Sequence, residues 1–389
     1  MTATAALPIV APEEAGLSPA GLDRLGAALQ ARIDAGHIPG AVALIGRGGR
    51  IGYLRAFGRR DPAAPDPMTE DAIFRIYSMT KPIVSVAAMM LWEEGRFLLS
   101  DPVANYIPAF AEVKLAGGQA PRRAITIQDL LRHTSGLTYE FRGAGPVHQA
   151  YAAAGIARRD QTSAEQADAL AALPLLHEPG THWEYSRSTD VLGRVVEVIA
   201  GAPLDAVLAA RVLTPLGMAD SGFSVPPGDA GRLATGFARD PESGAAVTLL
   251  DVREPPRFLS GGGGMVATAA DYARFLAMLA DGGRFAGGRL LGRKTLELMT
   301  ADHLGGLPAA TDLLAPGHGF GLGFAVRLAA GMAPFPGSVG SYFWGGAAGT
   351  TFWVDPAERM IAVLMIQAPG QREHYRVLFR DLAYAALAD

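Results

Sequence analysis

The chain has 389 residues, long enough for two or three packed units with ample core. A net charge of −4 gives no electrostatic reason to expect nucleic acid or an anionic membrane as a partner, and the absence of cysteine excludes disulfides, thiol catalysis and thiolate metal sites. No basic residue precedes Arg24, no apolar leader segment is present, and the longest apolar run, 82–92, falls short of the roughly 20 residues a membrane-spanning helix needs, so a cytoplasmic protein is expected.

In chain order, Ser18-Pro19 reads as an N-cap followed by proline at the first helical position, with Leu22, Leu25, Leu29 and Ile33 at helical spacing behind it. Residues 41–45 and 51–57 flank Gly48-Gly49 and predict a β-hairpin. An apolar helix over 82–92 closes at Gly95, and Ser100-Asp101-Pro102 opens another short helix. Residues 125–137 read as a capped helix ending in a turn, and 138–162 as a loop region suited to lining a pocket. Helices are predicted over 163–173, from Val191 to Gly201, and over 204–213, the last broken by Pro215. The irregular stretch 217–259 leads to Ser260 and the run Gly261–Gly264, where backbone must bend or approach something closely. Thr268 caps a further helix; strands are predicted over 320–328, 350–354 and 360–366, and an amphipathic helix over 372–387. Strands at both ends with helices between them predict an α+β architecture: a sheet unit from residues 1–76 and 260–389, a mainly helical unit over 77–259, and a site between them.

The stretch with the most chemistry is Ser78-Met79-Thr80-Lys81, followed by Pro82. In a helix starting near Ser78, residues three apart share a face, so Ser78 Oγ and Lys81 Nζ can meet. A helix start also presents outward N–H groups that favour developing negative charge. A serine hydroxyl needs a neighbour to take its proton, and an apolar setting such as Ile83, Val84, Val86 and Met89 favours a neutral lysine amine. Only three of the 34 basic residues are lysine, at 81, 114 and 294, so where a cation suffices this chain uses arginine, which cannot give up its proton. Lys81 therefore reads as a titratable amine.

Other motifs are weaker. No complete Gly-x-Ser-x-Gly elbow exists; Ser18 and Ser224 are half matches better read as a cap and a turn. None of the eight histidines has a metal spacing, and structural roles are expected for them. Gly319–Gly323 is a poor dinucleotide fingerprint and reads as packing. Tyr185 at a helix entry can place its phenol in a cleft, where it would act as a base if cations lie beside it. Trp344-Gly345-Gly346 can let a substrate pack along a strand edge.

Taken together, Ser78–Lys81, the 130–137 segment, Glu178-Pro179-Gly180 with Trp183-Glu184-Tyr185-Ser186, Gly262–Thr268 and Trp344-Gly345-Gly346 resemble the serine β-lactamase and penicillin-binding-protein superfamily, nearest its class C β-lactamase-like esterases, the family VIII carboxylesterases. The resemblance runs from about Leu17 to the C-terminus. It implies a β-lactamase/transpeptidase-like fold, an antiparallel sheet flanked by helices, and hydrolysis of short-chain esters through an acyl-enzyme with no cofactor. It also implies Ser78 as nucleophile, Lys81 as proton acceptor, Tyr185 as partner base, and the N–H groups of Ser78 and Ala347 as the oxyanion hole. Two positions depart from the β-lactamase pattern. Arg187 stands where Tyr-x-Asn has asparagine, and Trp344 where Lys-Thr-Gly has the lysine that meets a substrate carboxylate. The tryptophan is like that of the esterase branch and suits a neutral acyl or alkyl group. Arg187 either grips a carboxylate in the cleft or, as the favoured expectation, faces solvent or pairs with an acid such as Asp190. Two alternatives accompany the ester reading: a same-fold β-lactamase, D-amino-acid peptidase or acyltransferase, and a non-catalytic acyl-binding or β-lactam-sensing domain.

Overall fold

A computed structural model describes residues 7–309 and 313–388. Residues 1–6, 310–312 and 389, which the predicted sheet unit spans, lie outside the described residues. In chain order the N-terminal part comprises α1 (Pro19–Asp34), β1 (Gly40–Arg47), β2 (Arg50–Gly58), β3 (Phe74–Arg75) and α2 (Thr80–Glu93). The middle holds α3 (Ile127–Leu131), α4 (Pro146–Ala153), α5 (Ser163–Ala171), α6 (Ser188–Ala200), α7 (Leu204–Leu208) and α8 (Thr214–Leu216). Then follow β4 (Val266–Ala267), α9 (Ala269–Ala280), β5 (Arg284–Phe285), β6 (Gly288–Arg289), α10 (Arg293–Met299), β7 (His318–Phe320), β8 (Ala325–Arg327), β9 (Tyr342–Gly345), β10 (Thr351–Asp355), β11 (Met360–Met365) and α11 (Arg372–Tyr384).

Among the described residues the main sheet has the order β2-β1-β11-β10-β9-β8-β7, antiparallel throughout. The N-terminal hairpin therefore joins the C-terminal strands through the β1–β11 pairing, with Val42 opposite Met365. Gly48 (φ 59°) and Gly49 (φ 79°) make the two-residue turn between β1 and β2, a left-handed backbone that favours glycine. The two-residue period sorts side chains between the faces: Ala41, Ala43 and Ile45 point to α1 and α11, while Val42 and Leu44 join the core on the other side. That second core holds α2, buried from Thr80 to Met89, which packs on α6 and α7.

Local signals set many boundaries. Ser18 Oγ accepts from Gly21 N–H at 3.2 Å, and Thr126 and Asp129 form a capping box at the start of α3. Gly201 in the left-handed conformation ends α6. Three expectations are corrected. The region 138–162 is not all loop: α4 lies within it, and only Val147 and Tyr151, one turn apart, are buried there, too little periodicity to read. The predicted strand over 320–328 is a hairpin of β7 and β8, turned back at Gly323 (φ 105°), whose bare Cα faces Ser85 of α2. Pro215 does not break its helix. A π-helical turn over Ala209–Leu213, with Thr214 N–H bonded to Ala209 O, widens the coil just before the proline, and α8 follows. Among the described residues no helix is long and apolar enough to cross a membrane.

Candidate active site

Ser78 lies in a 3₁₀ turn, Tyr77–Met79, that leads into α2. Tyr77 before it adopts φ 43°, a strained value for a bulky side chain, and is held there from two sides. Its hydroxyl accepts from Leu250 N–H at 2.8 Å, and its backbone faces Gly263. Ile76 N–H bonds Met265 O at 3.0 Å and Thr80 Oγ1 accepts from Met265 N–H at 3.1 Å, so the segment after the glycine run clamps both ends of the serine turn.

Lys81, one turn on, is almost wholly buried. Its Nζ donates to Gly262 O at 2.6 Å and to Tyr139 Oη at 2.9 Å, and lies 3.3 Å from Ser78 Oγ. No carboxylate among the described residues pairs with it. It also sits 4.4 Å from the centre of the Tyr185 ring, a cation–π distance. Tyr185 directs its hydroxyl to Trp344, whose Nε1 donates to it at 3.1 Å. The indole donor that Trp344 was expected to offer is thus already in use, and its ring face is what remains.

An aromatic layer supports these groups. His133 packs on Tyr185, Trp183 and Phe320, and its Nδ1 is 3.3 Å from Ser186 Oγ. Burial, reinforced by Lys81, pushes the His133 imidazole well below its ordinary range, so it stays neutral. Burial pushes the Tyr139 phenol well above its ordinary range, with Tyr185 and Asp190 acting in the same direction. Tyr139 is therefore a neutral hydrogen-bonding phenol at neutral pH.

Trp344 and Gly345 run past the last residue of β9 that pairs with β8, leaving that edge open beside the site. The following turn is closed by Gly346 N–H to Thr350 O at 2.8 Å and Gly349 N–H to Gly346 O at 3.0 Å; none of the described bonds uses the N–H of Ala347. Thr350 Oγ1 reaches Ile76 O at 3.4 Å, joining this turn to the serine segment, and Arg376 Nη2 holds Gly346 O at 2.5 Å. A Cβ at 345 would lie 2.6 Å from that guanidinium, which explains the glycine.

Arg187 makes the expected pair with Asp190. Its side chain is buried rather than solvated, and it is no open carboxylate anchor. It pairs with Glu140 at 2.5 Å and Asp190 at 3.3 Å and lies over the Tyr139 ring at 4.7 Å. Burial alone would lower this guanidinium, but Asp190, Tyr139 and Glu140 outweigh it and push its pKa up. Tyr139, Gly262 and Arg376 were not singled out from the sequence. A signal existed for two: Tyr139 lies at the start of the 138–162 segment expected to line a pocket, and Gly262 lies in the run expected to approach something closely. Among the described residues no group of three His, Asp or Glu side chains gathers as a metal site.

With this geometry described, the chain as a whole is similar to known proteins. The family model described as Beta-lactamase matches residues 25–386. The chain belongs to the beta-lactamase family. It is 36% identical to Esterase EstB of Burkholderia gladioli over 95% of this chain and 99% of that one. Of solved structures, EstCE1, a hydrolase with promiscuous acyltransferase activity, superposes with a TM-score of 0.80 at 31% identity, covering 94% of this chain and 98% of that one. Simvastatin synthase LovD of Aspergillus terreus superposes with a TM-score of 0.79 at 25% identity, with the same coverage. This member of the beta-lactamase family has the β-lactamase/transpeptidase-like fold, and it is a serine hydrolase of the carboxylesterase kind.

Proposed function

We propose that this beta-lactamase-family protein hydrolyses short-chain carboxylic esters in the cytoplasm through an acyl-enzyme on Ser78. The observation that carries the reading is the hydrogen-bond geometry of Lys81. Two of its three tetrahedral positions are taken by fixed acceptors, Gly262 O and Tyr139 Oη, and the third faces Ser78 Oγ. A neutral amine in that place donates its two N–H bonds to the fixed acceptors and aims its lone pair at the serine hydroxyl. The amine is buried, and no carboxylate among the described residues pairs with it.

In the forward step the proton of Ser78 passes to Lys81 Nζ as Oγ bonds to the ester carbonyl carbon. The carbonyl oxygen becomes an oxyanion, which the N–H groups of Ser78 and Ala347 receive. Collapse breaks the bond to the alcohol oxygen, and the proton held by Lys81, with Tyr185, passes to that leaving group. Water then gives a proton to the same pair as its oxygen bonds to the acyl carbon; the bond from that carbon to Ser78 Oγ breaks, the proton returns to Oγ, and the acid leaves. Tyr139 fixes the lysine. Gly345 and Gly346 let Arg376, Thr350 and Ile76 pack closely on the strand end, and Arg376 holds the turn that presents Ala347. The division into 1–76 with 260–389 and 77–259 accompanies this reading, with the site at their seam.

The substrate side is apolar and neutral. Trp344 contributes a ring face, and Phe141, 69% exposed, stacks on Tyr139 at 4.7 Å as an apolar lip near Lys81. Arg187, engaged by two acids, is not free to meet a β-lactam carboxylate. Leaving such a carboxylate unpaired in a partly dry cleft would cost about 1–3 kcal/mol. The test is reaction with a fluorophosphonate followed by peptide mapping, alongside turnover of p-nitrophenyl butyrate. Label is expected on Ser78, with activity lost in Ser78→Ala. Label on another serine overturns the assignment, and a single turnover per molecule favours the acyl-binding alternative.

A further inference from the structure

We propose that Asp190 is a positioning residue for the Ser78–Lys81 pair, acting through the Gly262 backbone. The proposal rests on the reading of Ser78 and Lys81 given above. Asp190 sits in the first turn of α6 with its side chain fully buried. Its Oδ1 accepts from Ser260 Oγ at 2.6 Å and from Gly262 N–H at 2.8 Å, and its Oδ2 from Arg187 at 3.3 Å. The residue whose N–H it holds is the residue whose carbonyl receives Lys81 Nζ.

The packing shows how tightly that residue is placed. A Cβ on Gly262 would lie 2.9 Å from Asp190 Oδ1, and one on Gly261 would lie 2.6 Å from Thr189 O. The glycine run is thus pressed onto the first turn of α6 on one side, while Gly263 faces the Tyr77 backbone on the other. Asp190 draws the run to α6, and the run presents one carbonyl to the lysine. A helix-start acid that only capped α6 would have no need to reach a loop 72 residues away.

Arg187 completes the device. It neutralises Asp190 and lies over the ring of Tyr139, the other fixed acceptor of Lys81. The acid can therefore supply a rigid acceptor with little net charge. Both arms that hold Lys81 lead back to this ion pair.

The experiment compares Asp190→Ala with Asp190→Asn. Both lose the charge facing Arg187, but asparagine keeps an oxygen for Gly262 N–H and Ser260. With p-nitrophenyl butyrate, kcat of the alanine variant should fall by about 30-fold or more at a KM within about threefold of wild type, since a small misplacement of a reacting pair is costly. The asparagine variant should recover to within about fivefold of wild type, and the rate of fluorophosphonate labelling at Ser78 should follow kcat. Equal losses in both variants, a loss confined to KM, or an alanine variant within twofold of wild type overturns the proposal. If the alanine variant does not fold, Gly262→Ala decides, because its methyl would push the run off Asp190: an unchanged kcat overturns the proposal and a matching loss supports it. Activity retained in Ser78→Ala would instead defeat the Ser78 reading, a distinct result.

Discussion

On the face of the sheet that carries α1 and α11, Ala41, Ala43, Ile45, Trp353, Ala362 and Leu364 meet Leu25, Leu29, Tyr375 and Phe379 in one apolar layer. On the other face the apolar core around α2 gives way, near the end of β9, to buried polar groups: Lys81, His133, Ser135, Ser186, Arg187, Ser188 and Asp190. Each of these has partners from distant parts of the chain, as in the chain of contacts from His133 through Ser186 and Ser188 to Ser135. The first face needs only area and shape, which many side chains supply. The second requires particular atoms at hydrogen-bond distance, because a buried polar group without a partner is costly. Stability and catalysis should therefore separate between the two faces.

The sharpest way to break that separation is to damage the apolar face. Phe379→Ala in α11 should lower unfolding stability by about 3–5 kcal/mol, the usual cost of emptying a large core site. Below its melting range, kcat should stay within about twofold of wild type. Denaturant melts and ester kinetics on one preparation check both halves, and a large fall in kcat would show that the faces are coupled.

Next in size is Arg187→Ala, which leaves the fully buried Asp190 and the partly buried Glu140 without their cation. A loss of about 3 kcal/mol is expected. Because this guanidinium is already committed, the ratio of kcat/KM for nitrocefin to that for p-nitrophenyl butyrate should change by less than about threefold. A selective collapse of nitrocefin turnover would reinstate Arg187 as the carboxylate anchor.

Lys81→Arg tests whether charge or a titratable lone pair matters on the polar face. The rate should fall at least about 100-fold, close to 3 kcal/mol on the barrier, since guanidinium cannot accept the serine proton. Near-normal turnover in a well-folded variant would mean that only positive charge is required.

The smallest effect concerns His133. Its folded-state pKa lies well below the ordinary 6.5, so the unfolded chain binds the extra proton. Its contribution is complete above pH 6.5 and is lost as pH falls below that value. His133→Asn keeps a residue that tolerates the φ of 59° there. Between pH 6 and 5 the wild type should lose roughly 1 kcal/mol more stability than the variant. Parallel melting curves at the two pH values would show that the imidazole is not held neutral.

Much of the molecule follows from the amino-acid order alone, because it depends on neighbours in sequence. Gly48-Gly49 makes its hairpin, Ser18 and Thr126 cap their helices, and the alternation in β1 and β11 divides two cores, all within a few residues. Ser78 and Lys81 were legible for the same reason: three residues apart, one helix turn brings them together. Tertiary structure alone decided what surrounds the lysine. Tyr139 comes from 58 residues away and Gly262 from 181, and Asp190 reaches Gly262 across 72. Periodicity records which face of an element is apolar, but not which backbone carbonyl will lie opposite a given amine. That is set by where α2, the first turn of α6 and the glycine run come into contact; for Arg187, whose pairing with nearby Asp190 was legible, tertiary structure added the distant partner Glu140.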